Sequence, residues 1–176
     1  MIKFLNPKSY IPHSHNKGQL LIEAMVGLSI AMLGLLGIVS LISHSASLNR
    51  VVSNQFIATY LASEGIEITK NIIDNNIIQS NPWNSGLTTA GSFNVDYKSS
   101  NLQDVPFDEN RALLFDSATG LYSYYQKGDP TPFIRMIKIK PIGSDEIKVN
   151  SVVSWTDRGG AKFSVDLEDH FFNWRP

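Results

Sequence analysis

From Ala24 to Asn49 the chain carries no charged residue, and Leu20 to Ile42 is apolar almost throughout. As a helix those 23 residues span roughly 34 Å at 1.5 Å per residue, which is enough to cross a hydrocarbon core of about 30 Å. A globular helix would show an apolar stripe and a polar face; this segment is greasy all round. Gly27, Ala31 and Gly34 recur at steps of four and three, where small side chains let a second helix approach closely. They also fit the ordinary abundance of glycine in membrane helices.

The flanks orient the segment. Lys3, Lys8, His13, His15 and Lys17 precede it without any acidic residue, and the first charge beyond it is Arg50. The positive-inside rule keeps such a short leader in the cytoplasm and exports the chain beyond the helix. In a secretory signal the apolar region is discarded by a cut at small residues downstream. Here the basic leader ends at Lys17-Gly18 before the apolar run begins, although Ala46-Ser47 offers a site for the conventional cut.

Glu23 is the exception inside the run. A charge at mid-membrane costs roughly 2.5–3.5 kcal/mol on insertion scales, and less near a helix end. One account has the carboxylate reach the interface, aided by the positive helix terminus. In another, a cut after Gly18 frees an α-amine on Gln19, which pairs with Glu23 of its own chain or of a neighbour.

The stretch "KGQLLIEAMVGLSIAMLGLLGIVSLI" resembles the class III leader and N-terminal helix of type IV prepilins and pseudopilins. The shared pattern is a basic leader ending in glycine, then an apolar run with glutamate fifth after the cut. "YLASEGIEITKNIIDNN" and the closing "VVSWTDRGGAKFSVDLEDHFFNW" are similar to the continuation and final hairpin of minor, pilus-modification pilins. The resemblance implies prepilin peptidase cleavage between Gly18 and Gln19, N-methylation of Gln19, and assembly guided by Glu23. Its implied partners are that peptidase, an inner-membrane assembly platform, other pilin subunits in a helical filament, and membrane lipid before assembly. It implies no cofactor, no metal and no enzymatic activity. Two departures stand out: Gln19 occupies the usual phenylalanine position, and the mid-helix proline of many major pilins is missing near Ser40. Gly34 and Gly37 supply weak points instead, each costing about 1 kcal/mol against alanine.

Beyond the membrane stretch the helical pattern continues, with Val51, Ala58, Leu61, Gly65, Ile68 and Ile72 on one face. One helix is predicted from about Gln19 to Asn75, and Gly65 suggests close approach by a sheet or a plain helix defect. Asn81 to Ser92 reads as a loop and Phe93–Tyr97 as a short strand. Residues 113–125 read as a hairpin turning at Asp116–Gly120. Ile137 and Ile139 alternate with lysines. Ile147, Val149, Val153 and Trp155 share one face, and beyond the turn 157–160 so do Ala161, Phe163, Val165 and Leu167. Such alternation is that of an antiparallel sheet with one wet side. The expected fold is therefore α+β, pilin-like: a long N-terminal helix, membrane-embedded in its first half, packed on a C-terminal antiparallel sheet. Its divisions are a leader (1–18), a transmembrane or filament-core half-helix (19–45), an amphipathic half (46–78) and a β-rich part (79–176).

Composition narrows function. Apolar residues at 43% and charged ones at 18% belong to a globular chain. No cysteine is present, which excludes disulfides, thiolate metal sites and a cysteine nucleophile. The net charge of −1 lacks the basic footprint of a nucleic-acid binder, so nucleic acid enters only as the ligand of a tip subunit. Without the three leader lysines the balance becomes 12 basic against 16 acidic residues (15 minus 3 against 16). No H-E-x-x-H, G-x-S-x-G or phosphate-binding glycine loop occurs, and His170 reads as a surface or capping residue. Asp104, Asp108 and Glu109 read as a solvated acidic loop, with calcium as the sharper reading. Tyr122, Tyr124 and Tyr125 with Phe133 and Trp83 read as sheet core, or else as an adhesive, sugar-stacking surface.

The functional expectation is thus a minor pilin in a type IV pilus-like filament. It begins as a single-pass membrane protein with its C-terminal part exported. Two rivals stand beside it: a minor pseudopilin of a type II secretion system, and a membrane-anchored adhesin or DNA-uptake module.

Overall fold

The computed structural model describes residues 17–125 and 128–174. The leader lysines and histidines of residues 1–16 lie outside these. The order of elements is α1 (Lys17–Ile78), β1 (Gly91–Phe93), β2 (Ala112–Asp116), β3 (Leu121–Ser123), β4 (Asp129–Ile142), β5 (Glu146–Thr156) and β6 (Lys162–Phe172). The fold is α+β, as the patterning predicts. Two compact units divide between Leu48 and Asn49, and each is described by itself.

In the unit from Asn49 onward, the six strands form one antiparallel sheet in the order β3-β2-β4-β5-β6, with β1 also on β4. Strand β4 organises it. One edge pairs with β5 from Ile134↔Ser154 to Ile142↔Glu146. On its other edge β2 takes the early residues and β1 takes Ile137 to Ile139. Phe93 ends β1 sooner than the alternation suggests, because Asn94 and Asp96 turn their side chains onto backbone groups. Asn94 Nδ2 donates to the Arg135 carbonyl at 2.9 Å and its Oδ1 accepts from the Asp108 amide at 2.7 Å. Asp96 accepts from the amides of Lys98 and Tyr124.

The helix buries Ala58, Leu61, Ala62, Gly65, Ile68, Thr69, Ile72 and Ile73, a continuous stripe at steps of three and four. Two apolar clusters lie beneath it. Ala58, Leu61 and Ala62 pack with Leu113, Phe133, Val153 and Trp155; Ile68, Ile72 and Ile73 pack with Val95, Ile137, Ile147 and Val149. Between the clusters sits Gly65. A Cβ there would lie 2.6 Å from Ile137 Cδ1 and closer still to Ser151 Oγ, so the backbone of the helix touches the sheet. Of the two readings of Gly65, close approach is the one the structure shows.

Beside Gly65, Arg135 is fully buried. Its Nη1 donates to Glu64 Oε2 at 2.6 Å and to the Leu61 carbonyl at 3.1 Å, while Nη2 donates to the Val95 carbonyl at 2.7 Å. These bonds offset much of the cost of burying the guanidinium, although its Nε has no hydrogen-bond partner among the described residues.

Two substitutions test this seam. Gly65→Ala is expected to destabilise the unit by about 1–3 kcal/mol through overpacking, although alanine for glycine in an exposed helix stabilises by up to about 1 kcal/mol. A raised melting midpoint would contradict the close approach. Glu64→Ala is expected to cost about 2–3 kcal/mol, below the ~3–5 of a wholly buried pair, because Glu64 keeps 31% of its side-chain surface exposed. Denaturant titration followed by tryptophan fluorescence reads the difference.

Candidate functional site

The sequence-derived site lies in the N-terminal half of α1. Lys17 opens the helix, so Gly18 and Gln19 fall in its first turn and Glu23 in its second. Every residue from Gly18 to Ala46 is exposed. A Cβ on Gly18, Gly27, Gly34 or Gly37 would meet nothing within 4 Å, and α1 runs without a break through Gly34 and Gly37. Helix geometry puts Gly27, Ala31 and Gly34 along one side. The Ser29 hydroxyl donates to the Met25 carbonyl at 2.8 Å, which satisfies it without water, as a lipid setting requires. The helix is long and apolar enough to cross a membrane. Between Leu20 and Ile42, 15 leucines, isoleucines, valines and methionines are exposed, an apolar surface of the kind that marks a membrane or protein contact. Glu23 is exposed among them.

Farther along the helix, Val52, Phe56 and Tyr60 are 66%, 63% and 64% exposed at steps of four. The rings of Phe56 and Tyr60 meet edge to face at 4.8 Å. Phe56, Tyr60 and Tyr122 line an apolar hollow of about 470 Å³. This second, outward stripe escaped sequence reasoning, which followed only the buried face; its signal was an aromatic pair four residues apart.

The tyrosine cluster is not an exposed adhesive face. Phe133 is buried in the core. Tyr124 is buried too, and its hydroxyl donates to the Arg135 carbonyl at 2.9 Å; burial is the main cause raising its pKa. Trp83 packs against the other apolar cluster. Only Tyr125 stays well exposed, under the Arg111 guanidinium at 4.8 Å from its ring centre. Of the acidic loop residues, Asp104 and Asp108 serve as turn caps. Asp104 accepts from the amides of Ser100 and Asn101, and Asp108 from that of Asn110. Among the described residues no three His, Asp or Glu side chains gather to hold a metal ion.

His170 has partners that the sequence did not announce. Register places it opposite Lys148 on β5, with Glu168 opposite Asn150. Its Nδ1 lies 2.5 Å from Glu146 Oε1 and its Nε2 3.2 Å from Glu168 Oε1, while Lys148 Nζ lies 2.5 Å from Glu168 Oε2. Glu146, followed by Glu168, raises the histidine above its ordinary 6.5. Lys148, with Asn150 and His170, lowers Glu168 from 4.5 to about 2.

These two shifts give opposite pH dependences. The raised His170 contributes stability that is full below about pH 6.5 and lost as pH rises through its folded value. The depressed Glu168 contributes stability that is full above about pH 4.5 and lost as pH falls toward about 2. Thermal melts are expected to show a plateau between these limits. His170→Ala is expected to flatten the alkaline side and, because His170 also helps hold Glu168 down, to weaken the acid side in part. An unchanged alkaline limb would remove the histidine from the account.

No protein-family model, curated protein or solved structure matches this chain.

Proposed function

We propose that the chain is a minor subunit of a type IV pilus-like filament, assembled through the N-terminal half of α1. The observation that carries the reading is Glu23. It stands fifth after Gly18 as the lone carboxylate in the exposed, otherwise uncharged stretch of α1 from Gly18 to Ala46. Prepilin peptidase would cut between Gly18 and Gln19 and methylate the new amine. In a bundle of such helices a neighbour's Gln19 amine reaches Glu23, and each charge offsets the other's cost in an apolar core. Gly27, Ala31 and Gly34 leave a side open for a second helix. The stripe Val52-Phe56-Tyr60 extends the apolar contact beyond the membrane half.

Before assembly the subunit waits as a single-pass protein in the inner membrane, its N-terminus cytoplasmic, and is then drawn by the assembly platform into the filament. The α+β fold, with a helix laid on an antiparallel sheet, supports this reading, and so does the basic leader.

Intact-mass measurement and N-terminal sequencing of protein from its native cell test it. The mature start is expected at methylated Gln19, and Gly18→Glu is expected to abolish cleavage. Glu23→Ala is expected to be cut at the same bond yet lost from sheared filaments by at least about tenfold, the scale of one missing interaction of about 1.4 kcal/mol. An uncut leader, or a cut near Ala46, would refute the assignment. Recovery of the wild type in sheared extracellular fibres places it in a pilus; confinement to the periplasm places it in a secretion pseudopilus.

A further inference from the structure

A second cavity, of about 640 Å³, opens where the end of α1 meets the end of β6. It lies wholly within the unit that starts at Asn49 and owes nothing to the N-terminal half of the helix. Six residues give it character: Lys70, Asp74, Asn81, Trp83, Asn173 and Trp174. Its volume is that of a small-molecule site, and it combines aromatic faces with a few polar groups in the way such sites do.

The tryptophans are unevenly used. Trp155 is buried in the core, whereas Trp174 is 71% exposed and Trp83 only partly covered. Both rim tryptophans have fixed backbones. The Asn173 amide donates to the Asp145 carbonyl at 2.8 Å and the Trp174 amide to the Phe172 carbonyl at 3.0 Å. Asn76 Nδ2 donates to the carbonyls of Trp83 and Ser85 at 3.2 and 2.9 Å. The cavity wall between them contains the strained turn that ends the helix. Ser80 takes a φ of 59°, a left-handed conformation usually left to glycine at a helix C-terminus. The amides of Ser80 and Asn81 close the cap on Ile77 and Asn76. Strain of this kind in a residue with a Cβ persists where the surroundings hold it.

The polar groups select the ligand. Lys70 donates, Asp74 accepts, and the amides of Asn81 and Asn173 do both. Lys70 and Asp74 carry opposite charges one turn apart. His170, also at the wall, has Glu146 and Glu168 beside it. An anion would meet Asp74 and the carbonyl end of a helix that has no basic residue in its last turn. A cation would meet Lys70. A polyol presents hydroxyls that donate and accept, and its C–H faces lie flat on indoles.

We infer that this cavity binds a neutral oligosaccharide, stacked on Trp174 and Trp83 and hydrogen-bonded by Asp74, Asn81 and Asn173.

The test is calorimetric titration of the full chain in phosphatidylcholine nanodiscs. The probes are trisaccharides of glucose, galactose and N-acetylglucosamine, beside choline, inorganic phosphate and N-acetyl-trialanine amide. At least one trisaccharide is expected to bind saturably and to change tryptophan fluorescence. Trp174→Ala is expected to weaken that binding by about tenfold or more. Asp74→Asn is a second, isosteric variant, expected to weaken binding without disturbing the fold. The inference is overturned if no trisaccharide saturates, if Trp174→Ala binds as the wild type does, or if choline, phosphate or the peptide binds more tightly than every sugar. None of these results bears on cleavage at Gly18 or on assembly through Glu23.

Discussion

The unit from Asn49 onward depends on one approach of backbone to sheet, at Gly65. There the helix comes too close to β4 and β5 for any side chain. The space beside it is filled by the buried Arg135, whose guanidinium reaches the helix at Leu61 and Glu64 and a loop at Val95. The apolar clusters on either side supply the hydrophobic stabilisation, while this polar belt fixes how the helix sits over the strands. Apolar surfaces slide at little cost; three hydrogen bonds from one planar group do not. Position along the helix is thus set by Arg135, and depth by Gly65.

The same helix serves two surroundings. From Gly18 to Ala46 every residue is exposed, and the stretch is long and apolar enough to cross a membrane. From Ala58 to Ile73 one face is dry and the other wet. Hydrogen bonding inside the helix suits both settings, so the backbone continues across Asn49 while the side chains change their rules. Glu23 belongs to the first set, yet it is the one residue there that ordinary membrane insertion would disfavour.

Much of this was legible in the residues. Alternation located β5 and β6 because each has one dry side, and the helix stripe fell out of its spacing. Arg135 escaped notice although it shares parity with Ile137 and Ile139 and so points to the dry side. The lysines at 138 and 140 made charge look like a mark of the wet face, and Pro130 and Pro132 disguised the start of β4. Those prolines sit before the β5 pairing begins at Ile134, where a missing N–H is tolerated. The cavity at the end of α1 was not legible, since it joins residues about a hundred positions apart. Nor were the partners of His170, which depend on strand register. Of the two readings of the tyrosines, the core one holds for Tyr124, which lies just beyond the end of β3 inside the core, while its neighbour Tyr125 stays exposed.

The arrangement of Arg135 also bears on force. Were the chain assembled into a filament as proposed, its helix would be pulled lengthwise while its sheet carried the load applied outside. The bonds from Arg135 to Leu61 and Glu64 span the interface side by side, next to a seam where Gly65 locks against Ile137 and Ser151. Both bonds start from Arg135 Nη1, so sliding the helix lengthwise must break them together and also dislodge the Gly65 contact. The guanidinium acts as a shear pin, strongest along the axis on which a filament would be stretched.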